Sequence, residues 1–106
     1  MESTLSTIKV MDIVTGTATN NDGIPLFVVL DKHLSNGQKV RLSMMEATPF
    51  STSFMNASIG DIIDKYGFET FRNRVTFTQC RPAQVKYLKM YIDQIMQSMS
   101  SIYNNA

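Results

Sequence analysis

Three times along the chain, a short stretch of alternating apolar and polar residues gives way to a longer one whose apolar residues recur every three or four positions. Period two belongs to a strand and period 3.6 to a helix, so the order reads strand, helix, strand, helix, strand, helix. Crossover helices set successive strands parallel with a right-handed turn, and an α/β sandwich is the architecture that accommodates them. The strand stretches are 8–14 (IKVMDIV), 39–45 (KVRLSMM) and 75–80 (VTFTQC). The first helix is expected from about Gly23, with Asn20, Asn21 and Asp22 as capping acceptors, Pro25 in its first turn and Leu26, Phe27, Leu30 and Leu34 as its stripe. Asn36 or Gly37 ends it in the left-handed conformation.

Pro49 breaks the chain after the second strand, and Ser51, Thr52 and Ser53 offer three caps to a helix carrying Met55, Ile59, Ile62, Ile63 and Tyr66. Gly67 stops that helix, a connector holds Phe68 and Phe71, and Pro82 opens a third helix with Val85, Leu88, Ile92, Ile95, Met96 and Met99 at helical spacing. Residues 15–18 are a candidate hairpin strand at the sheet edge. The expected fold is therefore α/β, a small sandwich whose mostly parallel or mixed sheet has about four strands with three helices.

A chain of 106 residues suits a single domain spanning 1–106, with frayed ends at 1–6 and 100–106. Its 43% hydrophobic and 18% charged residues are those of a globular protein. The net charge of +1 comes with scattered basic residues, and the absence of a basic stripe argues against nucleic acid as partner. The longest apolar run, 24–30, ends at Asp31, too short to cross a bilayer. Cys80 is the lone cysteine and the opening MESTLSTIKV lacks a secretory pattern, so a cytoplasmic location is expected. The eight methionines are expected to be adaptable core filler.

Catalytic chemistry finds little support. His33 is the single histidine and lies near a helix C-terminus, and no Gly-x-Ser-x-Gly turn accompanies it. One histidine and one cysteine do not make a structural zinc shell, Asp61 and Asp64 read as a solvated face, and Gly16 and Gly23 lack the spacing and lysine of a phosphate loop. No enzyme activity, metal or cofactor is expected.

The segment 50–67, FSTSFMNASIGDIIDKYG, resembles the signature of the STAS-like α/β domain family, a bacterial and archaeal group of uncharacterised function. DGIPLFVVLDKHL, NGQKVRLSM and KYGFETFRNRVTF extend the resemblance over 22–93. The wider STAS class, typified by antagonists of anti-sigma factors, carries Asp-Ser-Ser-Gly at a helix start, where a kinase phosphorylates the serine after the aspartate and releases the partner. Laid on this chain, the aspartate falls on Ser51, the phosphorylated position on Thr52, the next serine on Ser53 and the glycine on Phe54. The acid and the glycine are absent while a hydroxyl stays at the switch position. The resemblance thus implies a non-enzymatic regulatory or protein-interaction module, partnered with a histidine-kinase-type ATPase and switched at a serine or threonine there. The alternative is a self-associating structural or immunity-type protein of a bacterial defence or mobile-element system, a homo-oligomer built on the sheet edge or last helix.

Ser51, Thr52 and Ser53 also read simply as helix caps, each worth about 1 kcal/mol. Asn56 lies one turn after Thr52 and is expected to hydrogen-bond the loop that carries it. On the helical wheel Phe54 falls with Ser58 and Asp61, away from the apolar stripe, so it is expected to be an exposed anchor in a patch with Thr52, Asn56 and Arg72.

Overall fold

A computed structural model describes residues 5–104, with side chains as far as Ser98. Strand β1 (Leu5–Lys9) leads through a 3-10 turn (Val10–Asp12) to helix α1 (Asn20–Ser35) and strand β2 (Lys39–Ser43). A continuous helical run comes next, made of α2 (Thr52–Met55), a π turn (Asn56–Gly60) and α3 (Asp61–Tyr66). Short helix α4 (Phe68–Arg74), strand β3 (Val75–Thr78) and the long helix α5 (Pro82–Asn104) complete the chain. Both strand pairs are parallel, in the order β1-β2-β3. The parallel arrangement expected from the crossover helices is present.

The count differs from the expected four strands and three helices. Counting α2 to α3 as one run, the described residues form three strands and four helices. Residues 15–18 form bends and irregular backbone, not a strand. The first strand covers 5–9 in place of 8–14, because its pairing with β2 ends at Lys9 opposite Ser43, and beyond it β2 turns away through Glu46, whose φ is 63°. Alternation continues past the strand because Val10, in the 3-10 turn, and Val14, in the loop after it, are both buried, so the pattern alone marks no end. The connector expected around Phe68 and Phe71 is helix α4, in which these rings lie three residues apart with centroids at 6.5 Å. Leu5 starts β1 and α5 runs through Asn104, inside the ends expected to fray, whereas 1–4 and 105–106 lie outside the described residues.

Register assigns the two sheet faces. Rows Ser6–Val40–Val75 and Ile8–Leu42–Phe77 point to the core, and row Thr7–Arg41–Thr76, which is exposed throughout, points away. Helix α1 is closed at its start by a capping box, in which the Thr19 hydroxyl accepts from the Asp22 N–H and the Asp22 carboxylate accepts from the Thr19 N–H. It buries Gly23, Leu26, Leu30 and Leu34. A fully buried leucine stabilises by roughly 1.5–3 kcal/mol over an exposed one.

Helix α1 crosses the α2 run at Gly23, where an added Cβ would stand 2.6 Å from the Phe54 carbonyl oxygen. Backbones approach this closely only where a side chain is missing. The run itself repeats its buried positions every four residues, as Phe54, Ser58 and Ile62 and as Met55, Ile59 and Ile63. A regular helix turns 100° per residue and drifts about 40° over each such step. The π turn absorbs the drift, since the Asp61 N–H reaches the carbonyl of Asn56, one residue farther back than an α-helix allows.

Phe54 is 0% exposed, which overturns the exposed anchor expected for it. A wheel drawn at 100° per residue misplaces it, because the π turn brings Phe54 and Ser58 onto the face that continues as Ile62. Its ring packs on Phe50 with centroids 4.3 Å apart. The methionines divide: Met44 and Met55 are core, but Met45, Met90 and Met96 are exposed, so core filler describes only some of them.

Two substitutions test this packing. Phe54→Ala is expected to lower unfolding free energy by about 3–5 kcal/mol in a urea titration, the usual range for a buried phenylalanine. Gly23→Ala, which in an ordinary helix would gain up to about 1 kcal/mol, is expected here to lower the melting temperature instead, because the new methyl meets the Phe54 carbonyl.

Candidate functional site

Three loops meet at the carboxyl ends of the parallel strands, the edge where α/β sheets generally present their sites. The loop before α1 and the loop before α2 are tied together: the Thr17 and Thr48 hydroxyls share a hydrogen bond, and the Ser51 N–H donates to the Thr17 carbonyl at 3.0 Å. Ser51 is the N-cap of α2. Its hydroxyl accepts from the Phe54 N–H at 3.0 Å and donates to the Ala18 carbonyl at 2.8 Å, so one oxygen joins both helix starts. At the third loop the Ser43 hydroxyl donates to the Gln79 side chain, and Gln79 has a φ of 55°. Lys9 and Glu46 pair at 3.3 Å across the ends of β1 and β2.

Of the three hydroxyls singled out in the sequence, Ser51 is occupied in capping, while Thr52 and Ser53 are exposed on the first turn. Thr52 borders a shallow depression of about 350 Å³ shared with Pro49, Tyr87, Met90 and Gln94. Tyr87 and Met90 are 47% and 48% exposed. A phosphate on Thr52 would thus sit beside the N–H groups that open the helix and beside two large apolar side chains.

Asn56 does not bond the loop that carries Thr52. Its amide oxygen accepts from the Tyr91 hydroxyl at 2.7 Å, which docks α5 against the π turn, and that hydroxyl also occupies the space a Cβ on Gly60 would need. The start of α5 is anchored by Gln84, 1% exposed, whose amide donates to the Ala47 carbonyl and accepts from the Arg81 N–H. Neither Tyr91 nor Gln84 stood out in the sequence, although with Leu88 they form an i, i+4, i+7 stripe. Arg72 lies on α4 with Glu69 as its ion partner at 3.9 Å.

His33 Nδ1 donates to the Gln38 side-chain oxygen at 2.7 Å at the end of α1, and Asp61 and Asp64 are exposed. Among the described residues no group of three histidine, cysteine or acidic side chains could hold a metal. Asp31 accepts from Tyr66 and pairs with Lys65 at 2.9 Å, which lowers its pKa and raises those of Lys65 and Tyr66. Burial pushes the Tyr91 hydroxyl above its ordinary range, and the nearby Asp61 charge adds to the shift.

The Tyr91 shift has a sign. A phenol whose pKa is higher folded than unfolded contributes stability that is fully present below the unfolded value near 10 and disappears as pH rises through the folded one. Tyr91→Phe is expected to lower stability by about 0.5–1.5 kcal/mol at neutral pH. It should also flatten the loss of melting temperature between about pH 9 and 11, with the remaining alkaline loss shared by Cys80, Lys65 and Tyr66, whose pKa values are likewise raised.

Among the described residues no helix is long and apolar enough to cross a membrane. No curated protein and no solved structure matches the chain. Residues 22–84 match the family described as a STAS-like domain of unknown function. That span contains most of α1, with β2, the capped helix start at Ser51, the π turn and β3, and the chain belongs to this STAS-like family.

Proposed function

We propose that this protein is a non-enzymatic regulatory module that binds a protein partner of the histidine-kinase-type ATPase class through the surface around the start of α2. Thr52 is the switch residue. A kinase transfers the γ-phosphoryl group of ATP to the Thr52 hydroxyl oxygen, ADP leaves, and the hydroxyl proton passes to the kinase base. The new charge then sits in the contact surface and weakens the complex.

The observation that supports this reading is the division of labour among the three hydroxyls. Ser51 already donates and accepts, so a phosphate there would break the link between two helix starts, whereas Thr52 is exposed and its modification leaves the cap intact. Tyr87 and Met90 supply the anchor that the buried Phe54 does not, since they border Thr52 and are half exposed. With Cys80 the only cysteine, a reducing cytoplasm suits the chain.

The test compares Thr52→Glu with Thr52→Ala. Glutamate is expected to weaken partner binding by about tenfold or more, a loss of at least about 1.4 kcal/mol, while alanine should leave it within a factor of about three. Equal affinities would leave the first turn with a purely structural role. Melting curves of both variants run alongside, so that lost stability is not taken for lost binding. Mass spectrometry of the protein purified from its host should find phosphate on Thr52.

A further inference from the structure

The flank of α5 opposite the Thr52 side is also unpartnered, and it adjoins an open sheet edge. Among the described residues strand β3 pairs only with β2, and between its outer side and α5 lies a groove of about 680 Å³. Phe77, Cys80, Val85, Leu88 and Ile92 line the groove, and Lys89 and Asp93 stand on its rim. Val85 and Met96, on the same flank of the helix, are 51% and 44% exposed.

Edge strands of monomeric proteins are usually guarded by a lysine, a proline or a bulge. The sequence of β3, Val-Thr-Phe-Thr, has none of these, whereas the opposite edge, β1, ends in Lys9. A strand of β-formers beside an apolar helix flank presents the same side of the molecule twice over, once as backbone and once as side chains.

The rim charges identify the occupant. Lys89 and Asp93 are exposed, and neither takes part in an ion pair among the described residues. An acidic peptide would satisfy the lysine and oppose the aspartate, and a basic one the reverse. A second copy of α5 laid antiparallel across a two-fold axis satisfies both, because Lys89 of each copy then faces Asp93 of the other. The same alignment brings Val85 to within one residue of the facing Met96. An axis normal to α5 also reverses β3, so the two open edges come side by side in antiparallel sense. Isologous pairing of this kind is the commonest oligomer symmetry.

We infer that two copies of this chain associate across a two-fold axis through the β3 edge and the Val85–Ile92–Met96 flank of α5, with reciprocal Lys89–Asp93 pairs setting the alignment. The surface lies away from Thr52, so this association and the regulatory reading can fail independently.

The test is sedimentation equilibrium on the full chain and two charge reversals, Lys89→Asp and Asp93→Lys. Both residues are exposed and on a helix, so circular dichroism should show each variant folded. The wild type is expected to dimerise with a Kd in the micromolar range. Each reversal alone places like charges opposite one another and should weaken its own dimer by about tenfold or more. An equimolar mixture of the two variants has an all-acidic rim facing an all-basic one, and should recover dimer at wild-type strength or better. A wild type that stays monomeric at about 100 µM overturns the proposal, and so does a dimer indifferent to either reversal or a mixture that fails to recover.

Discussion

Helix α1 and the start of α2 meet backbone to backbone at Gly23, and much of the molecule depends on that approach. It leaves no room for a side chain on α1, and it presses the first turn of α2 so far into the body that Phe54 has no exposed surface. Ser51 then lies close enough to the α1 start to reach the Ala18 carbonyl, which is how one hydroxyl serves two helices. Thr52 and Ser53 face solvent as a consequence of what their neighbours face, since a helix that buries 54 and 55 must turn 52 and 53 outward.

The order and parallel direction of the strands were legible in the sequence because hydrophobic period is a property of whole elements. Helix stops were legible too: Gly37 and Gly67 have φ values of 73° and 90°, the conformation glycine tolerates best. Element boundaries were less so. Val10 and Val14 keep the alternation going after the pairing partner has turned away, and α4 is short enough that its two phenylalanines look like any connector.

At the site, the cap at Ser51 could be read from residue type alone, whereas the burial of Phe54 could not. Its position depends on a hydrogen bond from Asp61 to Asn56 that no propensity encodes, although a strict four-residue spacing of apolar positions is a trace of it. Tyr91 and Gln84 were hidden for another reason. Their partners, Asn56 and Ala47, lie at distant positions in the chain, and only the docking of α5 brings them together.

The π turn works as an angular spacer in the middle of the rod. Because one surplus residue is wound into 56–60, the buried positions before it and those after it are phased together against α1 although no regular helix could phase them. Shortening the rod by that residue would make it a more ordinary helix and a worse part: either the Phe54 end or the Ile62 end would keep its seat, and the other would swing out by roughly a quarter turn. The hydroxyls at 52 and 53 would swing with it. The direction in which this protein offers its helix start is therefore set one turn and more downstream, by how the backbone of 56–60 is wound.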